Sequence, residues 1–391
     1  MGSNPGWSRT AFLFQGGGAL GAFQVGVFEA LQNAGYHFDW VSGISIGAIN
    51  AAIVAGNHPE NRLPRLKKFW NDISTYDPFQ ALDLWHEDPS SRKFYNYWHA
   101  QTTLIFGQPG FFKPRLINPH FLLNASPETI SFYDTSELRN TLETLIDFDL
   151  LNSGKTRLTL SAVRVDNGEQ VLFDTKYQKI YPEHIMASGA LPPGFPAVNI
   201  DGVLYWDGGI VNNTPIEVIL NDLPRVSTLC FMVQLFDPES EEPTNLDQVL
   251  LKHKDISYAS NYKRVIKSFC EAHDLRHAIK ELYDLLPDKL KVTAKAKKLS
   301  ALGCRTTMIM VRFHRHGLDT DLSSKDYAFS PVSINEGIAF GLKQGKDALK
   351  NPVWLKSVPE ETGAVLYDVF PHEHSTKQTT FNHKNKKNTR E

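Results

Sequence analysis

The sequence predicts an α/β fold in which helices cover both faces of a mainly parallel central sheet, giving three layers. Residues 8–56 alternate strand, helix, strand, helix, which is typical of parallel sheets. Two strongly apolar segments, 228–235 and 306–313, have the composition of strands inside such a sheet. With 391 residues, of which 41% are hydrophobic, the chain can build a large core.

The first predicted strand, 10–15, leads into the glycine-rich loop 16–21, with sequence GGGALG. A helix is predicted to follow over 22–31. Adjacent glycines allow several backbone N–H groups to point into one space, which suits the stabilisation of an oxyanion. The predicted oxyanion hole consists of Gly16, Gly17 and Gly18.

The same loop also fits the pattern G-x-G-x-x-G, so a dinucleotide-binding oxidoreductase is an alternative. That motif requires an acidic residue at the end of the second strand, to bind the ribose. Asp39 stands at the start of the predicted second strand, and a serine motif occupies its end. The sequence therefore favours a hydrolase over an oxidoreductase.

The second strand, 38–42, runs into Gly43-Ile44-Ser45-Ile46-Gly47, and a helix is predicted over 48–55. G-x-S-x-G between a strand and a helix is the pattern of a nucleophile elbow, whose strained turn pushes the serine hydroxyl outward. Gly43 and Gly47 fit positions where a side chain would clash. We expect Ser45 to be a nucleophile, the alternative being an incidental serine in a structural turn.

A nucleophilic serine needs a base, and Asp207 is the best candidate. It ends the apolar segment 203–207 and is followed by Gly208 and Gly209. Burial beside Trp206 would raise its pKa above the usual value of about 3.9, closer to neutrality. The alternative is an ordinary Asp-Gly hairpin turn.

Taken together, the glycine loop, the serine motif and Asp207-Gly208-Gly209 resemble the three blocks of the patatin-like phospholipases. Segments 187–196 and 212–215 also resemble that family, and the similarity spans roughly residues 8–235. The resemblance implies a patatin-like fold and a lipid acyl hydrolase. Its Ser45–Asp207 dyad would work without histidine or a cofactor, through an acyl-serine intermediate. Leu20 departs from the pattern, since many relatives carry Arg or Lys in this loop, so a preference for anionic head groups is not implied.

Two further alternatives remain open. A Ser–Asp–His triad on an α/β-hydrolase fold is compatible with the order of residues, although the elbow follows the second strand, which is early for that fold. A non-catalytic protein that binds lipid surfaces is the other. The histidines available to a triad after Asp207 are His253, His273, His277, His314 and His316.

The chain is predicted to form one domain over 8–370, with a disordered polar tail over 371–391. Residues 77–127, rich in proline and aromatics, are expected to form an irregular insertion, or a lid over Ser45 with its tip at 107–112. Residues 246–302 are expected to be a mostly helical extension. Its lysine cluster, around 289–298, is expected to be a solvated face.

Composition limits the partners and the location. A net charge of −2 gives no sign of nucleic-acid binding, and we expect a lipid or fatty-ester substrate instead. No apolar stretch approaches the ~20 residues of a membrane helix, and residues 1–10 lack a secretory pattern. We expect a cytoplasmic protein with three core cysteines, and peripheral association with a membrane or lipid surface is compatible with this expectation. His273 and His277 are one helical turn apart, but no third ligand is evident, so no metal site is expected.

Overall fold

The structure, a computed structural model, describes most of the chain and defines one central sheet with its flanking helices. The described residues are 6–75, 88–121, 124–214, 216–239, 241–259, 262–356, 358 and 362–369, with only the backbone described at 262–263. The predicted tail, 371–391, and the first part of the predicted insertion, 77–87, lie outside them.

Strands and helices alternate along most of the described chain. The strands are β1 (Arg9–Phe14), β2 (Trp40–Gly43), β3 (Lys113–Pro114), β4 (Tyr133–Asp134), β5 (Arg157–Arg164), β6 (Gln170–Asp174), β7 (Val198–Ile200), β8 (Val203–Asp207), β9 (Thr228–Gln234), β10 (Met308–His314) and β11 (Ala364–Asp368). The helices are α1 (Gly21–Asn33), α2 (Ile46–Ala55), α3 (Pro59–Asp72), α4 (Pro89–Phe106), α5 (Ser136–Leu145), α6 (Phe148–Asn152), α7 (Pro182–Ser188), α8 (Ile216–Leu220), α9 (Leu246–Ala259), α10 (Tyr262–Asp284), α11 (Asp288–Lys291), α12 (Ala294–Ser300) and α13 (Pro331–Lys350).

The central sheet has the order β11-β10-β9-β1-β2-β5-β8-β7, and β6 pairs with β5. All pairs from β11 to β5 are parallel, whereas β6, β7 and β8 are antiparallel additions at one side. The carboxyl ends of the parallel strands therefore meet at one edge of the sheet, where α/β folds place their ligand sites. β3 and β4 form a separate small hairpin-like sheet.

Helices cover both faces of the sheet, because alternate residues of each buried strand point to opposite sides. Phe12 and Phe14 of β1 belong to a core that includes α1, α2 and α3. Ala11 and Leu13 point to the other side, where they pack with α8 and α10. The predicted three-layer α/β/α architecture is confirmed.

The region predicted to be an irregular insertion, 77–127, differs from that expectation, since it contains the 18-residue helix α4. Asp88 caps the helix by accepting a hydrogen bond from the Ser91 amide at 3.0 Å. Tyr95, His99 and Thr103 recur at helical spacing and are buried. This buried stripe includes polar residues, and exposed aromatic residues stand between its members in the sequence, which hides the helical period.

Helices α9 to α12 occupy most of the predicted extension between β9 and β10. Cys230 and Cys270 are buried, Cys304 is partly exposed, and none of the three forms a disulfide. His273 and His277 both lie near the Thr306 carbonyl oxygen, with Nε2 atoms at 2.7 and 2.8 Å. In the described part of the chain, no helix is both long enough and apolar enough to cross a bilayer.

Candidate active site

Ser45 lies in a strained turn between β2 and α2. Its backbone angles, φ 56° and ψ −129°, are unusual for a residue with a side chain, and such strain is a feature of functional sites. A Cβ on Gly43 would overlap the backbone of Gly47, and a Cβ on Gly47 would overlap the Phe14 carbonyl. The Ser45 amide donates to the Ser188 carbonyl at 3.0 Å, which ties the turn to α7.

Strand β5 positions the rest of the site, because two strands share one of its edges. β6 pairs along residues 159–163 and fills one edge of β5. β2 pairs with 157–160 and β8 with 162–164, so both use the opposite edge. Since each edge of a strand holds one partner at any level, β8 takes over where β2 ends.

This shared edge brings Ser45 and Asp207 together. β2 ends at Gly43, whose partner is Leu160, and Ser45 follows two residues later. Asp207, the last residue of β8, is the partner of Ala162, which lies two residues beyond Leu160. The two side chains therefore reach the same level from opposite directions, and Ser45 lies close enough to lower the pKa of the Asp207 carboxyl.

Asp207 is almost fully buried, with 1% of its surface exposed. Burial raises the pKa of its carboxyl from the usual 3.8 to about 7, and hydrogen bonds from the Gly209 amide and the Ser45 hydroxyl oppose this rise. The amide of Gly209 lies 2.7 Å from Asp207 Oδ1. Trp206 does not explain the burial as the sequence suggested, because consecutive side chains of a strand point to opposite faces.

The glycine loop lies directly beside Ser45. A Cβ on Gly16 would come within 3.0 Å of Ser45 Cβ. Gly18, with φ 55°, occupies a conformation that favours glycine, and a Cβ there would overlap the Asp326 carbonyl. In the described chain the Gly17 and Gly18 amides have no protein acceptor, so they are available to an oxyanion.

Two polar side chains hold this loop, one from Asn213, far along the chain, and one from Gln15, which directly precedes the loop. Asn213 Nδ2 donates to the Gly16 carbonyl at 3.0 Å. The buried Gln15 side chain joins two further elements, donating to Thr214 Oγ1 at 2.9 Å and accepting from the Leu235 amide at 2.6 Å. These contacts fix the loop relative to the end of β9.

A cavity of about 160 Å³ opens onto the serine, the aspartate and the glycine loop. Its other walls are mainly apolar and aromatic, as expected for a site that accepts hydrocarbon. Phe111 and Phe112, from the predicted lid tip, pack against Phe195 in this wall, at 5.8 and 5.1 Å between ring centroids. Further wall residues are Ile46, Tyr133, Leu191, Pro192, Pro193, Phe236, Tyr258, Tyr327 and Phe329.

The geometry argues against two of the alternatives. Asp39 Oδ2 accepts from the Thr10 amide at 2.8 Å, at the amino end of β1, so it lies at the opposite end of that strand from the glycine loop. A dinucleotide ribose at the loop would be out of its reach. None of the histidines in the described chain lines the cavity, which leaves a Ser–Asp–His triad without its third member.

Several positioning residues escaped the sequence analysis. Asn213 belongs to the segment 212–215 that resembles the family, so a signal existed, but its contact with Gly16 could not be read from it. Ser188 likewise belongs to the segment 187–196 that resembles the family, but its contact with Ser45 could not be read from it. Gln15 carried no signal, and the partners of its side chain lie about 200 residues or more away. Asp326 packs on the glycine loop from a part of the chain with no recognised motif.

Comparison with known proteins identifies the family of this chain. A family model described as Patatin-like phospholipase matches residues 12–220, and one described as Patatin phospholipase matches 256–361. Patatin-like phospholipase domain-containing protein 7 of Rattus norvegicus is 27% identical over 208 residues, 53% of this chain and 12% of that protein. Neuropathy target esterase sws of Drosophila melanogaster is 36% identical over 209 residues, again 53% of this chain and 12% of that protein.

Among solved structures, VipD from Legionella pneumophila is similar with a TM-score of 0.36 and 15% identity, over 88% of this chain and 66% of that one. In contrast, the chain spans only a small part, 12%, of the length of each of the two curated relatives. The first family model nevertheless covers more than half of the 391 residues, from the strand before the glycine loop to the helix after Asp207. This chain therefore belongs to the patatin-like phospholipase family, a family of lipid ester hydrolases.

Proposed function

We propose that this protein hydrolyses lipid esters with Ser45 as nucleophile and Asp207 as general base. The observation that carries the proposal is the shared edge of β5, which sets the two side chains at one level beside the same cavity. A hydroxyl, a carboxylate and free amides at one cavity are the groups that acyl transfer requires.

In the first half-reaction, Ser45 Oγ attacks the ester carbonyl carbon while Asp207 accepts the hydroxyl proton. The amides of Gly17 and Gly18 stabilise the oxyanion, where loss of a single donor typically costs 10²–10³-fold in rate. The C–O bond to the alcohol then breaks, and the protonated Asp207 gives its proton to the leaving oxygen. The product of this step is an acyl-serine.

In the second half-reaction, Asp207 takes a proton from water, which attacks the acyl carbon. The acyl–Oγ bond then breaks, Asp207 returns the proton to Ser45 Oγ, and the carboxylic acid is released. A general base works best when its pKa lies near the working pH. The raised pKa of Asp207, about 7, meets that condition, which an aspartate at its usual value would not. One carboxyl can therefore serve both steps without a histidine.

The apolar cavity supports a fatty acyl substrate. Its aromatic walls match a hydrocarbon chain better than a polar one. Leu20, at the loop position where many relatives carry a cation, is buried at 6% exposure, so it offers no charge to a head group. We infer that acyl-chain contacts contribute more to recognition than the head group does.

Peripheral contact with a lipid surface is part of this proposal. Large apolar side chains on and after α4 are exposed, beside the segment that supplies Phe111 and Phe112 to the cavity. Exposed apolar patches mark interaction sites, including membrane contacts. The most exposed are Ile105, Phe106, Leu116, Ile117 and Phe121. Cosedimentation with phosphatidylcholine vesicles should fall in Phe106→Ser and Phe121→Ser; unchanged binding of both variants would contradict this contact. A cytoplasmic location stays a prediction from composition.

The reaction is tested by mixing the protein with a medium-chain p-nitrophenyl ester and stopping the mixture in acid within milliseconds. We expect a burst of p-nitrophenol and, by mass spectrometry, an acyl group on the peptide that contains Ser45. The control is Ser45→Ala, which should give neither. Turnover that persists in Ser45→Ala, or an acyl group on another residue, would contradict the proposal.

Fluorescence titration with reduced nicotinamide dinucleotide tests the oxidoreductase alternative, and we expect no binding.

A further inference from the structure

Three potential metal ligands meet where β9 and β10 end, outside the proposed catalytic dyad. Asp237 lies three residues after β9, His314 ends β10, and His316 follows two residues later. One ligand atom from each lies within 4.8 Å of the others. Two imidazoles and a carboxylate form a donor set that zinc and similar divalent transition metals accept.

The spacing of these atoms fits shared coordination better than direct hydrogen bonds. Asp237 Oδ1 lies 3.6 Å from His314 Nε2, and Asp237 Oδ2 lies 3.4 Å from His316 Nδ1. Hydrogen bonds of this type are typically about 2.7–3.2 Å long. Around a tetrahedral zinc, ligand bonds of about 2.0–2.1 Å place neighbouring ligand atoms roughly 3.3–3.4 Å apart. The two imidazoles face different oxygens of the Asp237 carboxylate, so an ion between the rings would be bound by one or both of these oxygens.

The surroundings also suit a metal. The Asp237 and His314 side chains are buried, whereas His316 is 25% exposed and leaves an open side for water as a further ligand. The amides of Glu239 and Gly317 donate to the Asp237 carboxylate at 2.9 and 3.3 Å and orient it.

A second cluster, His273, His277 and Cys304, provides an internal comparison. Its Nε2 atoms lie 2.7 and 2.8 Å from the Thr306 carbonyl, which is the length of an ordinary hydrogen bond. Cys304 Sγ is nearly equidistant from both ring nitrogens of His273, at 3.9 and 3.8 Å, so it faces the ring rather than a lone pair. Contacts within the protein therefore account for this cluster.

We propose that Asp237, His314 and His316 bind one Zn²⁺ or a similar divalent transition metal, with a role in positioning rather than in the chemical step. Asp237 directly follows Leu235 and Phe236, whose side chains pack against Gly17. A Cβ added to Gly17 would lie 2.8 Å from Leu235 Cδ1. A metal at this point would join the ends of β9 and β10 behind the glycine loop. No short motif indicates this site, because Asp237 lies 77 residues before His314.

The test uses the full chain, stripped of metal with a chelator and dialysed. Zn²⁺ titration by calorimetry should give one site per chain, and Co²⁺ should produce a visible absorption band from its coordinated state. Zn²⁺ should also raise the melting temperature, since a ligand that binds the folded state stabilises it. These readouts do not depend on ester hydrolysis.

The informative variant is His316→Ala, because this partly exposed residue can be removed with little loss of core packing. We expect Zn²⁺ affinity to fall at least a hundredfold and the melting shift to disappear. The matched control, His277→Gln, removes a histidine from the other cluster and should keep one site of unchanged affinity. Absence of binding in the unmodified chain, equal affinity in His316→Ala, or loss of the site in His277→Gln would each overturn the proposal.

Discussion

The glycine loop and the serine turn lie within the first 47 residues, whereas the opposite side of the cavity is assembled from positions between 111 and 329. On the first side, short motifs set the backbone: Ser45 has φ 56°, and Gly43 and Gly47 sit where no side chain fits. On the second side, packing between distant segments buries Asp207 and encloses the cavity. Local sequence thus places the nucleophile, and tertiary packing tunes the base that serves it.

The first prediction, with the largest expected effect on activity, concerns the nucleophile on the first side of the cavity. Ser45→Ala should lower ester hydrolysis by about 10⁴-fold or more, since removal of a nucleophile leaves only residual catalysis by the remaining site. The measurement is kcat/KM for a p-nitrophenyl ester. Ser42→Ala is the matched control, because Ser42 is a buried serine of β2 whose hydroxyl has no partner among the described residues. If Ser42→Ala lost as much activity as Ser45→Ala, the effect would reflect folding rather than chemistry.

The second prediction concerns the stability cost of the buried base. The folded pKa of Asp207 is raised above its usual 3.8, so the unfolded chain loses this proton more readily and the unmodified protein loses stability as pH rises from about 4 to about 7. Asp207→Asn should remove that loss, for a gain on the order of 4 kcal/mol above pH 7 that fades toward pH 4. Urea unfolding of both proteins across this pH range measures it.

Asp166→Asn is the control for that experiment, because the pKa of the Asp166 carboxyl is shifted in the opposite direction. Asp166 is exposed, and its hydrogen bond with Arg164 lowers the pKa of its carboxyl. Its replacement should give no gain above pH 7. A stability difference between Asp207→Asn and the unmodified protein that did not change with pH would mean that burial does not shift this carboxyl.

The third prediction is the pH dependence of hydrolysis. Because Asp207 acts as a base only when ionised, kcat/KM should rise about tenfold per pH unit below an apparent pKa of about 7 and level off above it. Between pH 5 and pH 8 the expected change is about a hundredfold. A profile that is level down to pH 5 would show that the base titrates at an ordinary carboxylate value.

The fourth prediction is the smallest and links the two sides of the cavity. Asn213→Ala removes the donor that holds the Gly16 carbonyl at 3.0 Å, so the glycine loop should lose part of its alignment. We expect kcat to fall about tenfold with little change in KM. Asn212→Ala, whose side chain pairs with Glu217 instead, is the control and should retain nearly full activity.

The sequence could predict the features that depend on local motifs, but not those that depend on packing between distant segments. The strand–loop–helix units around the glycine loop and Ser45, and the strand ending at Asp207, were predictable because each depends on neighbouring residues. The α/β/α layers followed from the strand and helix pattern, and the structure confirms them. Their chemical roles remain predictions until activity is measured.

Three features could be recognised only from the three-dimensional structure: the shared edge of β5, helix α4 and the cause of the burial of Asp207. That β2 and β8 share one edge of β5 depends on the return of β6 along the other edge, which no local pattern specifies. Helix α4 was missed because exposed aromatic residues masked its period. The raised pKa of Asp207 was anticipated, but its supposed cause, Trp206, was wrong, since burial depends on what packs from other segments.

The most direct test of the central claim is the rate at which a fluorophosphonate labels Ser45, measured in the unmodified protein and in Asp207→Asn. If the two side chains on the shared β5 edge form a working dyad, labelling should occur at Ser45, accelerate with pH around 7, and slow by about a hundredfold or more in Asp207→Asn. Equal labelling rates in the two proteins, or labelling at another residue, would contradict the account.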